Sequence, residues 1–286
     1  MNIVQAKLRT IVAAILLTSA SVAFAAANTT RPASFQKVFV IVLENSSAES
    51  TLRNPYMKSL LGRGAYLNSF FAIKHPSQPN YIAMTSADVH GVSSNRPVDL
   101  DVRHIGDLLE AREMTWRQYA SGYPGNCFLG ESRRRYARKH VPFLSYVNVQ
   151  LDPHRCANVV DASQLDRDIG NGALASYSLY IPDLDEDGHH TGVGYAANWL
   201  RVTFDAKFKD PRFMKDMLVV ITFDEDDGKH GNHIYTLLLG DSVKAGATTD
   251  ARYDFFSLIR TIEDAFELGT LGKKDAAAKP ITGIWK

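Results

Sequence analysis

The sequence predicts an α/β fold with helices on both faces of a buried parallel or mixed sheet. Two observations carry this. Three apolar, β-branched runs, Lys37–Leu43, Met217–Phe223 and Ile234–Gly240, read as strands buried on both faces, because none alternates with polar residues. Between and after them lie helical patterns at His104–Glu113, Gly194–Phe208 and Tyr253–Phe266. Residues 122–171 are less regular and read as a cap or long insertion. No composition break falls within 33–271, so these residues are expected to form one domain, and the Lys- and Ala-rich stretch 272–286 a peripheral tail.

The first 25 residues read as an address. Lys7 and Arg9 precede an apolar stretch, and Ala23-Phe24-Ala25 is a small-x-small cleavage site. The apolar stretch is shorter than the ~20 residues a membrane span needs, so a periplasmic or secreted protein with no stable membrane insertion is expected. Export changes the meaning of the two cysteines, Cys127 and Cys156, which in an oxidising compartment are expected to pair. Two thiols do not make a four-thiolate zinc site. A net charge of +1 gives no basic excess for general nucleic-acid binding. The 45% apolar and 22% charged residues exclude disorder. Nothing in the sequence sets an oligomeric state.

Two of the strands end in oxygen-bearing side chains: Glu44-Asn45 after the first, Asp224-Glu225 after the second. In open α/β sheets ligands bind beyond the carboxyl ends of the strands. Three carboxylates and an amide gathered there repel one another without a cation, and hard oxygen ligands favour Mg²⁺, Mn²⁺ or Ca²⁺. In His75-Pro76-Ser77-Gln78-Pro79-Asn80-Tyr81, Pro79 suits a first helical turn, which puts Ser77 at a helix N-terminus. Free N–H groups there favour phosphate, and a hydroxyl there can serve as a nucleophile. The sequence lacks G-x-S-x-G, so a serine triad of the α/β-hydrolase kind is not supported. His189 and His190 sit in a glycine-flanked turn, and His233 lies between the acidic strand end and the next strand. The basic run Arg133–Lys139 is a solvated face or the entrance for an anionic substrate.

Taken in order, six strings resemble the secreted phosphoesterase family that contains bacterial and fungal acid phosphatases and bacterial phospholipases C, within the alkaline-phosphatase-like superfamily. They are VIVLEN (40–45), HPSQPNY (75–81), YARKHVPF (136–143), IPDLDEDGHHT (181–191), VVITFDEDDG (219–228) and YDFFSLIRTIEDAFELG (253–269). The resemblance implies a three-layer αβα sandwich with a central mixed, mostly parallel sheet. It also implies hydrolysis of a small phosphate ester through phospho-Ser77. One divalent metal would sit on Glu44, Asn45, Asp224 and Glu225, with His140 and His189 catalytic. His190, His233 and Asn80 are expected as substrate contacts. Val141 stands where the family often has Asn, and Ser86-Ala87-Asp88 where it has S-G-D. A phosphomonoesterase of acid-phosphatase type is the expected activity. The alternatives are a phospholipase C, usually longer in this family, and a non-catalytic phosphate- or metal-binding relic.

Overall fold

A computed structural model describes residues 35–286, so the expected signal peptide lies outside the described residues. The central sheet contains eight strands: β1 (Lys37–Leu43), β2 (Ala65–Leu67), β3 (Trp116–Ala120), β4 (Val159–Asp161), β5 (Tyr177–Ile181), β6 (Met217–Phe223), β7 (Thr236–Leu239) and β8 (Thr248–Thr249). Their spatial order is β8-β2-β7-β6-β1-β5-β3-β4. β7 runs antiparallel to both its neighbours, and every other pairing is parallel. The expected mixed, mostly parallel sheet is therefore present.

The longest pairing, β1 with β6, is in register from Lys37↔Met217 to Leu43↔Phe223. All of β6, and β1 beyond Lys37, is buried. Successive side chains of a strand point to opposite faces, so burial of both sets means that both faces of the sheet are covered. At about 1.5–3 kcal/mol for each fully buried Val, Leu or Ile, these two strands anchor the core.

Four helices matter for function: α1 (Ser77–Ser86), α2 (Ile105–Glu110), α3 (Val193–Phe204) and α4 (Phe255–Ala265). All of α1 is buried, which explains how it tolerates apolar and polar residues all round. α3 is shorter than its pattern suggested. Its last turn gives way to a separate 3-10 turn at Lys207–Lys209, and Phe204, Phe208 and Phe213 pack one after another beneath Phe39 of β1. α2 starts on the side chain of His104, which caps Gly106, and ends at Glu110 rather than Glu113.

Residues 122–171 hold a two-stranded hairpin, short helical turns and the edge strand β4, so part of the expected insertion belongs to the central sheet; the expected Cys127–Cys156 disulfide, whose Cα atoms are 5.7 Å apart, pins it. The stretch 272–286 is not peripheral. Ile281 and Ile284 are fully buried, Trp285 packs against Phe35, and Val243 bridges to Trp285. Its apolar residues come after the Lys/Ala-rich part and insert between α4 and the strand-end loops.

Candidate active site

The in-register pairing of β1 and β6 delivers Glu44 and Asp224 side by side at the carboxyl edge of the sheet. Asp224 N–H donates to Leu43 C=O (2.9 Å) and Ser46 N–H to Glu225 C=O (3.2 Å). Asn45 turns the chain with φ 55°, and its N–H donates to Asp224 Oδ1 (3.2 Å). The side-chain amide of Asn45 makes no hydrogen bond among the described residues. On the other flank of β1, the loop after β5 brings in Asp187, whose carbonyl accepts from Glu44 N–H (2.8 Å). Gly188, at φ 99°, lets that loop pass Glu44 and Ala196: a Cβ there would sit 3.3 Å from the Ala196 methyl.

Ser77 opens α1, and its hydroxyl meets two carboxylates, Glu225 Oε1 at 2.9 Å and Glu44 Oε2 at 3.2 Å. Tyr81, one helical turn on, donates to Glu44 Oε1 (2.6 Å). His140 stacks on the Tyr81 ring, with Nε2 3.1 Å from Glu44 Oε1 and Nδ1 3.5 Å from Asp187 Oδ2. His189 N–H donates to Asp187 Oδ1 (2.7 Å), and its Nε2 lies 3.2 Å from Lys139 Nζ. His190 packs edge-on against His189 and reaches Asp185.

The acids are strongly destabilised as anions. Burial, then the charge of Asp187, raises Glu44 to about 8, and burial raises Asp187 to about 8. Burial and the neighbouring Glu44 and Glu225 push Asp224 well above the carboxylate range, and burial raises Glu225. Burial depresses both imidazoles, and Lys139 adds to it: His140 falls well below its usual value, His189 to about 4. Buried Asp224 Oδ2 and Asp187 Oδ2 have no hydrogen-bond donor. Unmatched oxygens on crowded carboxyls fit a cation. Glu44, Asp224, Glu225 and the Ser77 hydroxyl supply oxygens of the kind that suits Mg²⁺, Mn²⁺ or Ca²⁺. Glu44, His140 and Asp187 also converge, with ligand atoms within 4.8 Å of one another.

Two expected substrate contacts take other roles. Asn80 is buried, and its amide accepts from the N–H groups of Ile73 and Lys74 and donates to Lys74 C=O. It braces the loop that presents Ser77 and has nothing left for a ligand. His233 turns to Asn68 C=O (2.8 Å) and packs on Phe71, drawn there by the pairing of Phe71 with its own backbone. Asp187, Tyr81 and His75 carry no sequence reading of their own, and Lys139 only that of the basic run. Tyr81 had a signal, its four-residue spacing from Ser77 on one helix.

Residues 50–269 match the family described as the Phosphoesterase family. The chain belongs to that family. Among curated relatives, a probable acid phosphatase of Kluyveromyces lactis is 30% identical over 261 residues, 86% of this chain and 62% of that protein. An acid phosphatase of Aspergillus fumigatus is 29% identical, over 85% of this chain and 58% of that one. A phosphatidylinositol-3-phosphatase of Mycobacterium tuberculosis is 30% identical, over 88% and 83%. The chain thus spans under two thirds of the length of these fungal relatives. In three dimensions it resembles a Vibrio parahaemolyticus protein of the alkaline phosphatase superfamily, with TM-score 0.58, 14% identity and coverage of 87% and 71%. It also resembles the lipoteichoic acid synthase LtaP of Listeria monocytogenes, with TM-score 0.57, 12% identity and coverage of 84% and 73%. As a member of the Phosphoesterase family, the chain has the alkaline-phosphatase-like fold expected of it.

Proposed function

We propose that this Phosphoesterase-family chain hydrolyses phosphate monoesters, with Ser77 as the nucleophile. One observation carries the reading: a serine hydroxyl at the start of a buried helix, bonded to two buried carboxylates beside Asp224, whose Oδ2 has no hydrogen-bond donor. The names of the relatives, acid phosphatases and a phosphatidylinositol-3-phosphatase, support it.

Glu225 accepts the Ser77 proton as Oγ attacks phosphorus, and the bond from phosphorus to the leaving oxygen breaks. At the start of α1 the Ser77 N–H is left for a phosphoryl oxygen, since Gln78 N–H is held by Asn95 Oδ1 and Pro79 has none. A dianionic phosphate beside His140 and His189 offsets the burial and the Lys139 charge that depress them, favouring the imidazolium. From that form either one protonates the leaving alcohol, and then takes a proton from the water that cleaves phospho-Ser77. Serine is regenerated and inorganic phosphate released. A divalent cation on Glu44, Asn45, Asp224 and Glu225 would neutralise developing charge on the phosphoryl group. Lys139 adds a fixed positive charge at the same edge.

Export is part of the reading. The Cys127–Cys156 disulfide supports it, and no described helix is long and apolar enough to cross a membrane. The deciding experiment is Ser77→Ala assayed on a chromogenic phosphate monoester. Loss of turnover with an unchanged fold is expected. Near wild-type release of the alcohol would overturn the assignment.

A further inference from the structure

A two-stranded hairpin, Ser132–Arg133 paired with Tyr136–Ala137, leads directly into the turn that carries Lys139 and His140. Of its arginines, two have structural work. Arg135 Nε pairs with Asp185 Oδ2 (2.8 Å), and its carbonyl accepts from Leu184 N–H (3.1 Å). Asp185 also holds His190, so the hairpin is fastened to the loop that presents His189. Buried Arg138 pairs with Asp99 and bonds the carbonyls of Leu129, Val98 and Leu144.

Arg133 and Arg134 are different. Both are exposed, and their guanidinium groups make no ion pair or hydrogen bond among the described residues. They line a cavity of about 280 Å³ with Gly122, Arg135, Tyr136 and Asp183. The one acid there, Asp183, is engaged, since its Oδ1 accepts from the N–H groups of Asp185 and Glu186. The cavity is therefore lined by two arginines with no partner among the described residues, and guanidinium groups suit bidentate capture of phosphate or carboxylate. It also lies near the chemistry. Tyr136 is four residues before His140, so their Cα atoms are at most about 14 Å apart, and Arg133 faces Tyr136 across the hairpin.

We propose that this cavity is an anion subsite that takes a second phosphate or carboxylate of the substrate. The substrate class is then a phosphate ester bearing a further anionic group. The inference rests on the reading of Ser77 as the phosphate-ester centre.

The test compares kcat/KM for inositol 1-phosphate, inositol 1,4-bisphosphate and a short-chain phosphatidylinositol 4-phosphate. The proteins are wild type, Arg133→Ala/Arg134→Ala and Arg133→Lys/Arg134→Lys. In the alanine variant the bisphosphate should lose at least about ten-fold, through KM. The monophosphate should stay within about two-fold, and the lysine variant should recover part of the loss. An equal loss on both soluble substrates, or none, overturns the subsite. A fall shared by the lipid and the soluble bisphosphate means that the anionic ring itself is read. A fall confined to the lipid means that the arginines meet a lipid surface, and overturns it. Calorimetric binding of the two soluble phosphates in a Ser77→Ala background reads the subsite without turnover. If no ester is hydrolysed, the proposed activity falls, while preferential bisphosphate binding lost with the two arginines would still uphold the subsite.

Discussion

Glu225 has two oxygens and two tasks. Oε1 accepts from Ser77 at 2.9 Å, and Oε2 lies 2.5 Å from His75 Nδ1. The other nitrogen of His75 is 3.2 Å from Asp226 Oδ1, and Asp226 is itself fixed by the N–H groups of Gly228, His230 and Asn232. His75 thus holds the Glu225 carboxylate against a rigid turn and keeps Oε1 on the serine. Removing it should loosen the carboxylate without touching the phosphate. Expected for His75→Ala is a fall in kcat of about 10–100-fold with KM nearly unchanged, partly restored by His75→Gln. Steady-state kinetics decide; a change in KM alone would mean that His75 meets substrate instead. The sequence did not flag this residue, because a histidine before proline reads the same whether it faces solvent or a carboxylate. Glu44, Asp224 and Glu225 were legible because strand ends converge. Asn80 and His233 turn to backbone partners for a complementary reason: proximity in sequence to a reactive residue does not say which way a polar side chain turns.

Among the elements, those with long apolar periodicity were legible, and their ends were not. β1 and β6 match their runs residue for residue, since burial on both faces leaves an unbroken apolar stretch. The end of α3 is set by three phenylalanines stacking under the sheet, a tertiary cause that no window of sequence contains. The C-terminal stretch was missed likewise, and it shapes the environment of α4. There Glu263 is fully buried against Asp275, with Arg260 as a compensating charge. Asp275 is already satisfied by the N–H groups of Leu271 and Lys273. Burial, then Asp275, raises Glu263 from 4.5 to about 9. The folded chain therefore holds a proton that the unfolded chain has released. Stability must fall as pH rises from about 4.5 through about 9. Glu263→Gln keeps the shape and removes the titration. Its thermal midpoint should exceed wild type at pH near 8 and match it at pH near 4.5. Equal differences at both pH values would show that Glu263 does not titrate across folding.

At the scale of the whole molecule, the order of strands places the candidate site and also sets its cost. Parallel β1, β5 and β6 end at one edge, so the loops after them must bring Glu44, Asp187 and Asp224-Glu225 together. The strand ends let the sequence gather Glu44 with Asp224-Glu225, but not Asp187, whose place depends on strand order. Asp187 belongs with the other acids only because β5 lies beside β1. The resulting group of buried carboxyls is among the least favourable parts of the fold, since burial raises each and neighbouring acids add to it at Glu44, Asp187 and Asp224. A cation bound there relieves this repulsion in the folded state alone, because the unfolded chain scatters the ligands over nearly 200 positions, from Glu44 to Glu225. Binding to the folded state alone stabilises by mass action, about 2.7 kcal/mol at a hundred times the dissociation constant. For a chain of this size that amounts to a rise of several degrees in thermal midpoint. Adding Mn²⁺, Mg²⁺ or Ca²⁺ after dialysis against EDTA should produce that rise. In an Asp224→Asn/Glu225→Gln variant the rise should disappear, while the variant without metal should be at least as stable as wild type, having lost two repelling carboxylates. A midpoint that moves equally in both proteins would place the bound cation elsewhere, and a variant destabilised without metal would show that the carboxylates hold the fold together rather than strain it.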